Sequence, residues 1–291
     1  MERVGFIGLG NLGSALARRI GAAGHPMTVF DVVGNRGVPD GAEVAPSARS
    51  VADRAAVVFA CLPSREASMH VAAEVAGGAA IRVLVETSTL GPPALGDVAA
   101  ALGDRVALVD CPVSGGPAGA DAGTLAAIVS AEPAALAVAD AAIASLTPHR
   151  FVVGDRPGAA QTAKLVNNAI GLTSMVTACE AMVLGVKGGL DPDALLAAVN
   201  AGTGRNFTTA TMLPAAILSG TFEGGGPARL AVKDLGAVVE EARALGVPVR
   251  TVERALEVWR EAVALLGDDA DFTRVIQPME AAAGVEVRTS A

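Results

Sequence analysis

The chain has 291 residues, of which 52% are hydrophobic, so it is long enough for about two domains with a large buried core. Its formal net charge is −8 and it contains no basic tract, which argues against nucleic acid as a partner. With no Tyr and a single Trp, stacking platforms for single-stranded nucleic acid are not expected either.

The N-terminal residues do not follow the pattern of a secretory signal, because no charged segment precedes a long apolar run. We therefore expect a cytoplasmic protein. Cys61, Cys111 and Cys179 form no CxxC pair, so we expect reduced thiols packed as small hydrophobic side chains. No metal site is expected.

The chain opens with a strand, a glycine-rich turn, a helix and a second strand. Residues 4–9 are an apolar strand, the helix runs to about residue 23, and residues 27–32 form the next strand. The turn has the spacing G-x-G-x-x-G, which in this context is typical of dinucleotide binding. The candidate cofactor-binding residues of the turn are Gly8, Leu9, Gly10, Asn11, Leu12 and Gly13.

Each glycine of that turn has a separate task in this interpretation. Gly8 permits the tight turn, Gly10 lets a pyrophosphate approach the backbone, and Gly13 allows the helix to pack closely on the strand. The helix N-terminus then presents free N–H groups to the phosphates. The alternative is a glycine-rich turn that serves only packing.

Asp31 ends the second strand and is the candidate ribose-binding acid. A carboxylate there accepts hydrogen bonds from the ribose hydroxyls and repels a 2′-phosphate. The sequence therefore favours NAD over NADP. Arg36 lies close enough to leave NADP possible.

The alternation continues, and the apolar runs are unbroken, as in parallel strands covered on both faces. Further strands are predicted at 56–62, 81–86, 106–112, 125–130 and 150–153, and helices at 45–55 (with Ser47 as a possible N-cap), 67–76, 92–102 and 133–146. Ligands in such sheets bind beyond the carboxyl ends of the strands. The loops at 62–64, 87–89 and 113–116 all fall at that edge.

The loop at 113–116 is a candidate anion site. Ser114 supplies a hydroxyl, and Gly115 and Gly116 leave backbone N–H groups unshielded, which suits a carboxylate. The alternative is an ordinary loop.

A Gly/Pro-rich turn at 154–158 marks the predicted boundary between a first domain (1–160) and a second, all-helical domain (161–291). Helices are predicted there at 191–200, 211–219, 230–245, 248–266 and 273–283, after a long apolar helix at 161–188. That long helix has the composition either of a membrane span or of a buried spine. Its polar residues Asn167, Asn168, Thr173, Ser174 and Glu180 disfavour the membrane.

Lys164 and Asn168 lie one turn apart on this helix and therefore on one face. The chain has only three lysines, Lys164, Lys187 and Lys233, against nineteen arginines. Lys titrates readily when buried, whereas Arg does not. A lysine retained in so few places is a candidate functional residue, and the absence of Tyr excludes a Tyr–Lys proton relay; the alternative is a Lys that caps a domain interface.

Four motifs in order resemble the β-hydroxyacid dehydrogenase family, which includes 3-hydroxyisobutyrate dehydrogenase and tartronate semialdehyde reductase. They are GFIGLGNLG at 5–13, DCPVSGGPAGADAGTL at 110–125, GAAQTAKLVNN at 158–168 and KDL at 233–235. The resemblance implies an α/β fold: a Rossmann-type doubly wound parallel sheet, then an all-α domain, joined by a long interdomain helix.

The same resemblance implies site residues. Lys164 and Asn168 would be catalytic, and Ser114, Gly115 and Gly116 would bind the substrate carboxylate. Thr89 would lie beside both ligands. Asp234 would lie near the substrate, and Leu62, Pro63 and Lys233 would line the cofactor.

Two departures from the family pattern bear on the substrate. Asn167 stands where related sugar-phosphate dehydrogenases have His, and no Arg/Lys cluster suits a phosphate. The segment 224–227 replaces an aromatic pocket residue of many relatives, for which Phe207 could compensate.

The sequence thus predicts an oxidoreductase that transfers a hydride reversibly between NAD(P) and a small 3-hydroxy acid, with Lys164 as general acid/base. The alternatives are an NADPH-preferring semialdehyde reductase of the same fold and a catalytically silent dinucleotide-binding protein. The expected partner is a small carboxylate-bearing substrate, without nucleic acid or membrane. The family resemblance implies a homodimer or homotetramer.

Overall fold

The computed structural model describes residues 1–34 and 37–289. Arg36, which leaves NADP possible, lies outside the described residues. The chain divides into two compact units, Met1–Lys164 and Leu165–Ala291.

The first unit is a sheet with helices on both faces. Its strands are β1 (Val4–Ile7), β2 (Met27–Phe30), β3 (Glu43–Val44), β4 (Val57–Ala60), β5 (Val83–Glu86), β6 (Ala107–Asp110), β7 (Val113–Ser114), β8 (Ala126–Ser130) and β9 (His149–Gly154). Its helices are α1 (Asn11–Ala22), α2 (Ala48–Ala52), α3 (Arg65–Ala76), α4 (Pro92–Leu102), α5 (Gly116–Ala122) and α6 (Pro133–Ala144). The unit also includes the first turns of α7 (Ala159–Lys187).

The strand order is β3-β2-β1-β4-β5-β6-β8-β7, with β9 paired to β8. The pairs from β3 to β6 are parallel, as is β8 with β9, but β8 runs antiparallel to β6 and β7. The predicted doubly wound parallel sheet is confirmed, with one local departure: β8 runs antiparallel to β6 and β7. The physical reason is the short connection through β7 and α5, which turns the chain back on itself without a crossover.

Two buried clusters cover the two faces of this sheet. One combines Phe6, Phe59 and Val109 with Leu16 of α1 and Ile143 of α6, and the other includes Val58 and Leu84 with residues of α2, α3 and α4. This double covering explains the unbroken apolar runs of the strands, since successive side chains point to opposite faces.

The second unit is helical, as predicted. It contains the rest of α7, then α8 (Pro192–Ala201), a π-helix (Thr208–Leu218), α9 (Ala228–Leu245), α10 (Arg250–Leu266), a 3₁₀ turn (Phe272–Val275) and α11 (Ile276–Ala283). Trp259 of α10 is fully buried in its core. The Trp259 indole Nε1–H donates to the carbonyl of Leu172 on α7 at 3.2 Å.

Within the described ranges, α7 is the one helix long and apolar enough to cross a membrane, by length and composition only. A third of its most apolar window is buried (33%). A core helix of a soluble protein passes the same test, so this single match is weak support for a span. Three apolar side chains of α7, Val166, Ile170 and Leu184, are more than half exposed.

Most predicted elements are confirmed to within a few residues, and the Ser47 hydroxyl accepts from Ser50 N as the predicted N-cap of α2. The sequence reading missed three short elements, β3, β7 and α5, because two-residue strands and a Gly-rich helix give no periodic signal. The segment predicted as an ordinary helix at 211–219 is a π-helix with Pro214 inside it. Proline lacks the N–H that a regular helix needs in its interior.

Candidate active site

The glycine-rich turn lies between β1 and α1, and its glycines differ in their surroundings. Gly8 has φ +94°, and a Cβ there would lie 2.2 Å from the carbonyl oxygen of Cys61. A Cβ on Gly13 would lie 1.9 Å from the carbonyl oxygen of Gly8. A Cβ on Gly10 would meet no described atom within 4 Å. Gly8 and Gly13 are thus required by the fold, whereas Gly10 faces open space.

Gly10 is also the N-cap of α1, and among the described residues no side chain caps this helix end. The N–H groups of its first turn, at Asn11, Leu12 and Gly13, have no partner within the helix. Together with the positive end of the helix dipole they suit a phosphate. The open side of Gly10 and these donors fit the pyrophosphate of a dinucleotide.

Asp31 follows β2 and its carboxylate already accepts two backbone N–H bonds. Leu9 N donates to its Oδ2 at 2.6 Å, and Val33 N donates to its Oδ1 at 2.7 Å. The side chain is half-buried. Asp31 therefore ties the chain after β2 to the glycine-rich turn, a structural task that the sequence did not reveal. A carboxylate has about four lone-pair positions, so acceptor capacity is left for ribose hydroxyls.

The loops after β4 and β5 meet at the same edge of the sheet. Leu62 N donates to the Ser88 hydroxyl at 2.8 Å. Leu62 and Thr89 are half-buried and Pro63 is exposed. These candidate cofactor-lining residues therefore lie at the carboxyl ends of neighbouring parallel strands, where ligands bind in such sheets.

The candidate carboxylate site follows β6. Ser114 ends β7 and is half-buried, Gly115 is the N-cap of α5, and Gly116 begins that helix. A Cβ on Gly116 would meet no described atom within 4 Å. The segment predicted as a loop is thus a strand end followed by a helix N-terminus, which still presents N–H groups outward.

Two buried carboxyl groups lie behind this edge, at the ends of β5 and β6. Glu86 and Asp110 are register partners and both are fully buried. Burial raises the pKa of Glu86 to about 7, opposed by hydrogen bonds from Ser88. Burial also raises the pKa of Asp110, opposed by hydrogen bonds from Gln161, Gly158 and Ser130.

Gln161, in the first turn of α7, is the residue that sequence reasoning missed. It is fully buried and its side chain contacts both Asp110 and the loop after β5. The available signal was a pair of acids ending successive apolar strands, because buried acids require donors.

Lys164 follows Gln161 by three residues on α7 and is 7% exposed. It is the one lysine of the chain that is buried, since Lys187 and Lys233 are exposed. Its catalytic role stays a prediction.

In the second unit, Asn168 of α7 contacts Asp234 of α9. The Asn168 amide Nδ2 donates to Asp234 Oδ2 at 2.8 Å, and Asn167 Nδ2 donates to Asn168 Oδ1 at 3.0 Å. Two residues that the resemblance assigned to the site are therefore brought together. Lys233, the candidate cofactor residue beside Asp234, is exposed.

The Gly-rich segment at 224–227 packs against an aromatic ring from elsewhere in the second unit. A Cβ on Gly224 would lie 3.0 Å from Cζ of Phe272, and one on Gly226 would lie 3.4 Å from its ring. Phe207 is 61% exposed. The aromatic ring that packs against this segment is Phe272, and the role of Phe207 as a substitute pocket residue stays a prediction.

The cysteines and the other potential metal ligands bear on whether this chain could hold a metal ion. Cys111 and Cys179 are buried, and burial raises the pKa of the Cys111 thiol to about 12. Across residues 1–34 and 37–289, no group of three or more His, Cys, Asp or Glu side chains could hold a metal ion.

Comparison with known proteins gives matches along nearly the whole chain. Residues 3–154 match the family described as the NAD-binding domain of 6-phosphogluconate dehydrogenase. Residues 158–279 match the family described as NAD-binding of NADP-dependent 3-hydroxyisobutyrate dehydrogenase.

Individual relatives agree with this. A 3-hydroxyisobutyrate dehydrogenase of Pseudomonas aeruginosa is 36% identical, covering 84% of this chain and 87% of that protein. An NAD-dependent L-serine dehydrogenase of the same organism is 34% identical, covering 89% and 92%. The solved structure of Mycobacterium tuberculosis 3-hydroxyisobutyrate dehydrogenase with L-serine has a TM-score of 0.85 and 28% identity, covering 96% and 99%.

The family matches cover both units, and the glycine-rich turn has the geometry that a dinucleotide needs. The chain therefore belongs to the β-hydroxyacid dehydrogenase family, NAD(P)-dependent dehydrogenases that act on CH–OH donors.

Proposed function

We propose that this enzyme transfers a hydride reversibly between NAD and a small 3-hydroxy acid, with Lys164 as general acid/base. The observation that carries the proposal is the burial of Lys164, whose side chain is 7% exposed in a chain with only three lysines. A buried lysine can act as a base when it is neutral and as an acid when it is charged, which is what a general acid/base requires.

The cofactor would be held by the backbone N–H groups at the start of α1, by the open side of Gly10 and by Asp31. When bound, NAD would supply the hydride acceptor for alcohol oxidation, and its reduced form would supply the hydride for carbonyl reduction. The supporting geometry is the glycine-rich turn, where a Cβ on Gly10 would point into open space. Asp31 supports a preference for NAD, since its charge repels a 2′-phosphate.

Side chains of the protein, rather than the cofactor, would transfer the proton. In oxidation, the neutral Lys164 amine takes the proton of the substrate hydroxyl as the carbon loses its hydride, and it becomes an ammonium. In reduction, the ammonium donates that proton to the carbonyl oxygen, where its charge also stabilises the developing alkoxide. Asn168, whose Nδ2 is held by Asp234 at 2.8 Å, would orient the substrate hydroxyl through its remaining polar atoms.

The candidate carboxylate site and the relatives support the proposed substrate class. Ser114 and the backbone N–H groups of Gly115 and Gly116 suit a carboxylate. L-Serine and 3-hydroxyisobutyrate, which two relatives are named for, both carry a carboxylate and a hydroxyl on carbon 3. We propose a substrate of this class, without a phosphate.

A substrate panel and two Lys164 variants test the proposal. Wild-type enzyme is assayed with 3-hydroxyisobutyrate, D-glycerate, L-serine, L-threonate and 3-hydroxypropionate, by absorbance of the reduced cofactor. Lys164→Ala should lower kcat by about 10³-fold or more, because general acid/base catalysis is worth 10²–10⁴-fold. Lys164→Arg should be equally inactive, because Arg keeps the charge but cannot act as a base.

The matched control is Lys187→Ala, since Lys187 is exposed near the other end of the same helix. It should retain wild-type kcat. Lys164→Ala should still bind NADH, measured by the change in cofactor fluorescence. Substantial turnover by Lys164→Ala would refute the assignment of the general acid/base.

A further inference from the structure

Every hydrogen-bonding position of the Gln161 side chain is used. Its Nε2 donates to Asp110 Oδ1 at 2.8 Å and to the Ser88 carbonyl at 3.1 Å. Its Oε1 accepts from Leu90 N at 2.9 Å and from Gly91 N at 3.0 Å. An amide has two donor hydrogens and two acceptor lone pairs, so the side chain is saturated and can point only one way.

Asp110 holds the same helix end through its other oxygen. Its Oδ2 accepts from Gly158 N at 2.9 Å and from Gln161 N at 3.1 Å. The Ser130 hydroxyl donates to this oxygen at 3.1 Å and accepts from Ala160 N at 2.9 Å. Three of the N–H groups that precede or open α7 are therefore satisfied from β6 and β8, as a helix N-terminus in a buried place requires.

The network joins two parts of the first unit that carry candidate site residues. Ser88, Leu90 and Gly91 surround Thr89, so their bonds to Gln161 fix the backbone on both sides of Thr89. Gln161 and Lys164 are three residues apart on α7, a spacing that places them on one helix face. A shift of the Gln161 amide would move the loop and the lysine relative to each other.

We propose that Gln161, held by Asp110, is a positioning residue that sets the place of the Lys164 amine relative to the Thr89 loop. The inference rests on the proposed function of Lys164. Gln161 and Asp110 need not touch the substrate. They act by fixing the first turn of α7, since displacement of a reacting group by about 1 Å can cost 10²-fold in rate.

The experiment removes the hydrogen bond between Gln161 and Asp110 and then restores it with donor and acceptor exchanged. Gln161→Glu replaces the Nε2 donor with a carboxyl group against Asp110 Oδ1, so two buried acids face each other without the amide donor between them. The double variant Gln161→Glu/Asp110→Asn restores a donor–acceptor pair, because the Asn amide can donate to the new carboxylate at position 161 while its oxygen still faces Gly158 N. Gln161→Met keeps the shape of the side chain and removes all four bonds.

We expect Gln161→Glu and Gln161→Met to lower kcat by about 10- to 100-fold. KM for the cofactor should change by a smaller factor, because the Thr89 loop shifts while the glycine-rich turn is untouched. Gln161→Glu/Asp110→Asn should recover part of the loss, because the contact with position 110 returns while the Ser88 carbonyl still lacks its donor. The stability control is Thr147→Val, which removes the buried bond from the Thr147 hydroxyl to the Leu125 carbonyl at 2.6 Å. It should lower Tm without lowering kcat.

A second readout does not need turnover. Trace acetylation followed by mass spectrometry reports the reactivity of each of the three lysines separately. Reactivity of Lys164 relative to Lys187 should change in Gln161→Glu and return in the double variant. If wild type turns over no substrate but this pattern holds, the proposed function fails and the positioning role stands.

Three results would overturn the inference. Gln161→Glu and Gln161→Met could retain wild-type kcat and Lys164 reactivity. Their losses could be no larger than that of Thr147→Val at equal Tm. The double variant could fail to recover both kcat and Lys164 reactivity. The hydrogen bond between residues 161 and 110 would then have no part in positioning the Lys164 amine.

Discussion

Asp31 combines a structural and a recognition task in one carboxylate. Its two oxygens accept from Leu9 N and Val33 N, so it holds the glycine-rich turn. The same negative charge is what would exclude a 2′-phosphate. Cofactor preference and turn geometry are therefore coupled at this residue.

Changing Asp31 should accordingly alter preference more than it alters chemistry. Asp31→Ala is expected to lower the NAD:NADP ratio of kcat/KM by about tenfold or more, since about 1.4 kcal/mol of lost discrimination corresponds to that factor. Steady-state kinetics with both cofactors measures it. Asp104→Ala, which removes an exposed charge between α4 and β6, should leave the ratio unchanged. Equal ratios for wild type and Asp31→Ala would contradict the assigned role.

Glu86 makes stability depend on pH in a defined window. Its pKa is raised by burial from 4.5 to about 7, so the folded protein binds this proton more tightly than the unfolded chain. The free energy of unfolding should therefore fall as pH rises from about 4.5 to about 7, by roughly 3 kcal/mol in total, and stay level above that. Urea unfolding across this range measures the slope.

Glu86→Gln provides the comparison. Gln can still accept from Ser88 N, the bond that Glu86 Oε1 makes at 2.9 Å, but it does not titrate. The variant should lose most of the slope and be more stable than wild type at about pH 8. Asp110, whose pKa burial also raises, would leave a smaller slope of the same sign. An unchanged slope in Glu86→Gln would assign the effect elsewhere.

The sequence predicts the structure best where a residue is constrained by its near neighbours in the chain. The G-x-G-x-x-G spacing predicted the turn because Gly13 is constrained by Gly8, only five residues away, although Gly8 itself packs against Cys61 after β4. The Gln161 network could not be predicted, because it depends on β5 and β6 being neighbours and on Asp110 and Ser130 facing the start of α7. Those are contacts between residues far apart in sequence, which no periodic pattern encodes.

At the scale of elements, the long strands and helices were predictable and the short ones were not. Strong periodicity and end signals define α4, which the sequence located at the same residues, 92–102. β7 and α5 stand where the sequence indicated a glycine loop, and their geometry depends on pairing with β8. The carboxylate-binding role of Ser114, Gly115 and Gly116 stays a prediction, and their setting at a helix N-terminus required the fold.

The helix α7 shows how composition alone is ambiguous. Its apolar residues suit a membrane or a core equally, and only the structure separates its two sides. Met175, Met182 and Val183 are buried, whereas Val166, Ile170 and Leu184 are exposed. Residues 166 and 184 are about five turns apart, so the three exposed side chains share one face of the helix.

At the scale of the whole molecule, that face bears on assembly. We propose a homodimer or homotetramer in which the exposed apolar side chains of α7 are covered by another copy. Support comes from Val166, Ile170 and Leu184, which are 55%, 65% and 74% exposed, since apolar side chains grouped on one surface mark interaction sites.

Ile170→Glu should therefore shift the protein toward monomer, because a charge would have to be buried on association. Light scattering after size-exclusion chromatography measures the mass, which is 28.8 kDa for one chain. Asp104→Lys, a charge change away from α7, should leave the mass unaltered. A wild-type protein that is monomeric at all concentrations would refute the proposal.

The three glycines of the first turn differ in how freely they could be substituted during evolution. Replacing Gly8 or Gly13 would push a Cβ into backbone at 2.2 Å or 1.9 Å, so these positions are tied to survival of the fold. Gly10 borders open space, so a side chain introduced at this position would obstruct only a bound ligand. A descendant that abandoned its cofactor could thus change Gly10 at once and still keep the other two. Loss of the glycine at position 10 in a related chain would therefore indicate a protein that keeps the fold but no longer binds the dinucleotide.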